Sequence, residues 1–250
     1  MTGRREVPDD RMAVLYRQLM RAYGPQGWWP VAGHAGRDGH DARGYHRGLF
    51  GPPDTPAARF EVIMGAVLTQ NTAWTNVELA LRKLREARIR LPADVLACPQ
   101  ERLAGLIRSS GYFNQKARRL KTTAAFFLQP GRLSGARPPA RDELRALSGI
   151  GPETADSILL YAFHEPTFVV DAYTRRILQR MGMLEGREGY GDIQGLFHRS
   201  LPRSERRYNE FHALIVAHGK QRCSPRPDCS ACPVKPCAHG DTVREKPRLT

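Results

Sequence analysis

The chain has 250 residues, with 39 Lys and Arg against 25 Asp and Glu, a formal charge of +14 and an isoelectric point near 10.1. That length fits one large domain or two modest lobes, and 41% hydrophobic with 26% charged residues is the composition of a globular chain. No apolar run reaches the roughly 18–20 residues needed to span a bilayer, the first ten residues carry no apolar signal core, and five cysteines are too few for a disulfide scaffold, so a cytoplasmic location without membrane attachment is expected. The positive excess points to a polyanionic partner, nucleic acid first, or to a merely solubilising basic surface.

Along the chain, Met12, Leu15, Leu19, Met20 and Tyr23 recur at helical spacing over 9–23. Residues 31–58 are dense in Gly, Pro, His and Arg without periodicity, which predicts an exposed loop. Helical patterning resumes at Phe60, with Val62, Ile63, Ala66, Val67 and Leu68, then Val77, Leu81 and Leu84. It returns around 100–110, 114–128, 141–147, 153–163, 171–182, 190–199 and 204–218. Thr167–Val170 is the best strand candidate and is too short to build a sheet. The class is therefore all-α. The polar tail 239–250 reads as flexible.

The segment Leu147-Ser-Gly-Ile-Gly-Pro-Glu-Thr-Ala155 lies between two helical patterns. Gly149 and Gly151 permit close approach by another backbone, Pro152 suits a first helical turn, and N–H groups at a helix start can hold a phosphate without reading a base. An ordinary glycine-containing turn is the alternative. Asp171 follows the apolar pair Val169-Val170 and opens the next helix, the position of an N-cap. Trp28-Trp29-Pro30 fits either a core or a stacking surface for bases.

Taken together, the hairpin L-x-G-I-G-x-x-T-A and the following V-V-D-x-Y resemble the helix–hairpin–helix DNA glycosylase superfamily, the endonuclease III class. With W-W-P, F-E-x-x-x-G-A-V-L-T-Q-N-T (Phe60–Thr72) and S-G-Y-F-N-Q-K-A-R-R-L (Ser110–Leu120), the match is similar to its bacterial 3-methyladenine DNA glycosylase III branch, from about Trp28 to Lys220 without the loop 31–58. The resemblance implies that Gly149 and Gly151 grip a DNA phosphate, that Asp171 is the catalytic carboxylate, and that Gln70 fills the gap left by a flipped base. It implies a pocket of Trp28 and Phe60, walled by Trp29 and Pro30, in which a cationic alkylated purine is held by stacking and cation–π attraction. Asp171 would stabilise positive charge building on the sugar as the N-glycosidic bond breaks. Two features depart from the pattern. Glu153 stands where the class has a lysine that attacks the sugar, and a carboxylate forms no imine, which implies a monofunctional enzyme without efficient lyase activity. The loop 31–58 is inserted between the two halves of the pocket. In the helix Phe211–Lys220, His212 and Lys220 read either as substrate contacts or as parts of an amphipathic helix with a basic end.

Cys223-x5-Cys229-x2-Cys232-x4-Cys237 can hold zinc or a [4Fe–4S] cluster. The resemblance favours iron–sulfur, although the first and last gaps are each one residue shorter than in endonuclease III. Cys98 reads as a packed free thiol.

The expected architecture is two helical lobes with a DNA-binding cleft between them. A six-helix barrel over 55–165 holds the hairpin. Residues 1–54 pack with a C-terminal lobe, 166–238, that carries the cluster. The expected partner is double-stranded DNA with a damaged base, bound by a monomer that associates with the nucleoid. Residues 199–250 hold eleven Lys and Arg against five acids, and Lys116, Arg118, Arg119 and Lys121 form an acid-free basic run, two lips for that cleft. Two rival readings are an endonuclease III-like enzyme for oxidised pyrimidines with weak lyase activity, and a damage-binding protein without catalysis.

Overall fold

The computed structural model describes residues 10–245 except 52, 135 and 136. Among these, all regular structure is helical. The chain divides into two compact units, residues 29–166 and residues 1–28 with 167–250. The segment 29–54 therefore falls with the barrel residues. The sequence leads one to expect it with the C-terminal lobe.

The first unit contains α2 (Pro56–Leu68), α3 (Trp74–Glu86), α4 (Pro92–Ala97), α5 (Gln100–Leu106), α6 (Phe113–Leu128), α7 (Arg141–Arg145) and α8 (Pro152–Ser157). A π-helical turn, Ile158–Ala162, continues α8. Thr55 caps α2 by accepting the Ala58 N–H, with Pro56 as its first residue. Asn71, in the left-handed region at φ 52°, separates α2 from α3. Ten of the eleven residues from Ala58 to Leu68 are buried, Glu61 being the exception, so α2 is the central helix of this unit. The helix α4 was not expected from periodicity. Pro92 starts it, and the Asp94 carboxylate accepts the Arg90 and Leu91 N–H groups at 2.9 and 2.8 Å. Six residues are too few to show a repeat.

The second unit contains α1 (Arg11–Tyr23), α9 (Ala172–Arg180), α10 (Tyr190–Ser200), α11 (Glu205–Gln221) and α12 (Ala238–Glu245). Its core is aromatic: Phe168 stacks on Phe197 with ring centroids 3.5 Å apart, and Tyr208 and Phe211 meet Phe168 edge-on. Residues 167–170, the one strand candidate, form no strand. The tail is helical through Glu245 where flexibility was expected over 239–250; residues 246–250 lie outside the described residues. No helix among the described residues is long and apolar enough to cross a membrane.

Candidate active site

Asp171 is the N-cap of α9, with extended backbone, as its position after Val169-Val170 leads one to expect. Its Oδ1 accepts the Thr174 N–H at 2.7 Å and the Thr174 hydroxyl at 2.8 Å. Its Oδ2 lies 3.5 Å from His212 Nε2 on α11. The carboxylate is 13% exposed. Burial pushes its pKa up, but the His212 imidazole and the two Thr174 bonds outweigh burial and hold it below the usual carboxylate value. One oxygen is thus occupied by the chain's own cap, and the other is set on the side of a buried histidine.

The hairpin joins α7 to α8 through residues 146–151. Gly149 has φ +82° and packs against the Arg119 side chain, which would stand 2.3 Å from an added Cβ. Gly151 is exposed, with extended backbone and open space around it, at the N-terminus of α8. The two glycines thus differ: Gly149 is required by conformation, and Gly151 leaves the backbone accessible. Glu153 follows in the first turn of α8 and is exposed, where its charge complements the helix dipole. Gln70 is already engaged with this hairpin. Its Nε2 donates to Gly149 O and to Thr154 Oγ1, both at 2.9 Å, and its Oε1 accepts from Arg119 Nη1.

Several expected contacts are placed elsewhere. Lys116 does not face solvent. It is 1% exposed, and its ammonium donates to Leu68 O at 2.8 Å and Ser110 O at 2.6 Å. Burial, helped by the neighbouring Arg119 charge, lowers its pKa to about 8. It closes the unit's interior, unlike Arg118, which is exposed on the same helix. Trp29 is likewise a core residue. Its ring meets Trp74 edge-on at 5.0 Å and Tyr161 at 5.1 Å, and its Cζ2 would stand 2.8 Å from a Cβ at Gly65. Phe60 is fully buried in α2, and Pro30 is buried beside Trp29. Neither Trp29 nor Phe60 offers a face to a base in this arrangement. Trp28 is half-buried.

The four clustered cysteines are brought together. Cys223, Cys229, Cys232 and Cys237 line one small cavity with Ile177, Val234 and His218. Burial pushes the Cys232 thiol up, and the other three thiols add to the rise. Arg180 Nη1 donates to Cys223 Sγ at 3.2 Å and to Ser224 O at 2.6 Å, and Arg176 Nε donates to Cys223 O at 2.8 Å. All five cysteines are free thiols, and among the described residues no three of His, Cys, Asp and Glu close around a metal ion.

Sequence reasoning missed three supports. Asp156, fully buried, accepts from Arg141 Nε at 2.6 Å and Nη2 at 2.8 Å, a bidentate pair that ties α8 to α7. The spacing of fifteen residues between them gives no periodic signal. Arg59 donates to Ala162 O, Leu133 O and Pro53 O from within the core. Thr174 was visible as a polar residue three positions after an N-cap, the offset at which a cap bond forms.

Residues 64–203 match the HhH-GPD superfamily of base excision DNA repair proteins. A Methanocaldococcus jannaschii protein named for DNA repair glycosylase activity is 36% identical over 228 residues, covering 88% of this chain and 92% of that protein. Endonuclease III of Thermotoga maritima is 31% identical over 177 residues, 70% and 80% of the two chains. Among solved structures, the H. pylori 3-methyladenine DNA glycosylase bound to 1,N6-ethenoadenine aligns with a TM-score of 0.65 at 27% identity, covering 85% of this chain and 98% of that chain. A non-covalent endonuclease III–DNA complex aligns with a TM-score of 0.74 at 21% identity over 96% and 100%, which shows a shared fold. An all-helical chain with this hairpin, this carboxylate and these relatives belongs to the HhH-GPD superfamily of base excision DNA glycosylases.

Proposed function

We propose that the protein is a monofunctional DNA glycosylase that removes alkylated purines such as 3-methyladenine from duplex DNA. The observation that carries the reading is the setting of Asp171, ionised, largely buried and fixed by Thr174. A fixed anion of this kind stabilises positive charge developing on a deoxyribose as the base departs, and Oδ2 is the oxygen left to do so or to orient water. An alkylated purine is already cationic, so its departure needs little protonation. The base must leave the stack first. Gln70 then moves from the hairpin into the vacated space, with the exposed backbone around Gly151 on a phosphate.

Two observations support the finer assignment. Glu153 supplies no amine for attack on the sugar, and the 27% identical H. pylori structure is of a 3-methyladenine DNA glycosylase. The 31% identity to an endonuclease III favours a second reading, release of oxidised pyrimidines with weak strand cleavage. We further assign Cys223, Cys229, Cys232 and Cys237 to a [4Fe–4S] cluster, with zinc as the alternative. Four soft sulfur donors around one cavity fit either. The bound group would cross-link the loop and so fix Arg222, Arg226 and Lys235 for phosphate contact.

Duplexes carrying single lesions test the reading. Release of free 3-methyladenine without strand nicking is the expected result. Thymine glycol release with nicking would establish the second reading, and tight duplex binding with no release from any lesion would mark a protein without catalysis.

A further inference from the structure

The inserted segment is a wall. Gly44, at φ +83°, lies so close to the Val31 carbonyl that a Cβ would stand 2.1 Å from it, and the Val31 N–H donates to Gly44 O at 3.2 Å. Arg43 is paired with Glu78 on α3, and His46 Nε2 lies 3.1 Å from Trp29 O. Held in this way, the segment encloses a cavity of about 430 Å³ against α2, α3 and the residues after α3. That volume lies in the range of small-molecule sites.

The lining has three distinct chemistries. Arg37, Arg85 and Arg90 supply positive charge. Arg37 is paired with Asp54 at 3.1 Å, whereas the Arg85 and Arg90 side chains make no hydrogen bond or ion pair among the described residues. Burial pushes up the pKa of Glu61, which faces the same space, and the Arg85 and Arg90 charges oppose that rise. The Glu61 carboxylate is oriented by the Ala32 N–H at 2.7 Å and by the Gly33 N–H. Met64, Leu81, Ile89 and Ala58 form an apolar wall.

We propose that this cavity binds a nucleoside phosphate, with the phosphate on Arg85 and Arg90, an N–H or O–H of the nucleoside on Glu61, and the base along the apolar wall. Guanidinium forks match phosphate oxygens. A carboxylate that is acceptor-only selects a donor. An inorganic anion would use the arginines but leave Glu61 and the wall unused. The ligand is either a free nucleotide or one nucleotide of a strand. The cavity lies wholly within residues 32–90 and uses neither Asp171 nor the hairpin, so it stands or falls apart from the glycosylase reading.

Isothermal titration of the full chain with AMP, GMP and inorganic phosphate tests the proposal. Saturable nucleotide binding is expected, tighter than phosphate, and weakened about tenfold or more in the double variant Arg85→Ala/Arg90→Ala. Those side chains have no partners to lose, and an unchanged melting temperature checks that the variant folds. The proposal is overturned by no saturable binding of either nucleotide, by equal binding in the double variant, or by phosphate binding as tightly as AMP. A single-stranded oligonucleotide that displaces AMP would make the ligand a strand nucleotide; AMP retained against it would make it a free one.

Discussion

Asp171 caps α9 with Oδ1 and sets Oδ2 beside His212, the oxygen that the proposed function makes the reactive charge. The two roles separate by substitution. Asn caps a helix about as well as Asp, so Asp171→Asn is expected to abolish base release while changing stability by less than about 1 kcal/mol; Asp171→Ala removes the cap as well and costs about 1–2 kcal/mol. Denaturant titration and a lesion assay read the two effects. The carboxylate's folded pKa lies below its ordinary 3.8, so its stabilising contribution is complete above the unfolded value and is lost as pH falls through the folded one. The stability gap between wild type and Asp171→Ala should accordingly persist at pH 5 and shrink as the pH falls below about 4. Lys116 and Arg118 make the opposite pair. Lys116→Met leaves Leu68 O and Ser110 O without their donor and should cost about 2 kcal/mol or more without altering the salt dependence of DNA binding. Arg118→Ala should leave stability alone and lower the salt slope by about one.

The hairpin is the element that carries Gly149, Gly151 and Glu153. Its two short helices, α7 and α8, have five and six residues, too few to be stable by themselves. The Arg141–Asp156 pair and the Gln70–Arg119 contacts hold them. Removing the buried partner strands a guanidinium, so Asp156→Ala should cost about 3 kcal/mol and abolish DNA binding together with folding of this region. Gly149→Ala forces a side chain into the left-handed region against Arg119, an expected loss of about 1–2 kcal/mol measurable by thermal melting. The G-I-G pattern made this element legible, because only glycine suits that backbone. Its fastenings were not legible, because a pair fifteen residues apart and a glutamine in the turn after α2 share no local pattern.

Over the whole molecule, the charge of +14 is expected to make the proposed duplex binding electrostatic and largely independent of sequence, so affinity should fall linearly in log–log salt titrations. The proposed cluster at the cysteine loop would add a metal-dependent part. A four-thiolate cluster gives a brown protein absorbing at about 400 nm, and Cys229→Ala is expected to lose that colour and destabilise the helices α9, α11 and α12 around it. A colourless, zinc-containing protein would give the same stability loss and decide the other metal.

The sequence by itself determined the helical class, the hairpin, the cap at Asp171 and the grouping of four cysteines. Each depends on a short-range rule: helical period, glycine conformation, capping offset or ligand spacing. Tertiary structure alone decided which aromatic and basic side chains face inward. Trp29 and Lys116 look like binding residues in any linear reading, yet one is enclosed by Trp74 and Tyr161 and the other by two carbonyls. The inserted segment likewise became a wall because Gly44 fits against Val31 and Arg43 reaches Glu78. Burial is a property of what surrounds a residue, and those neighbours lie tens of positions away in the chain.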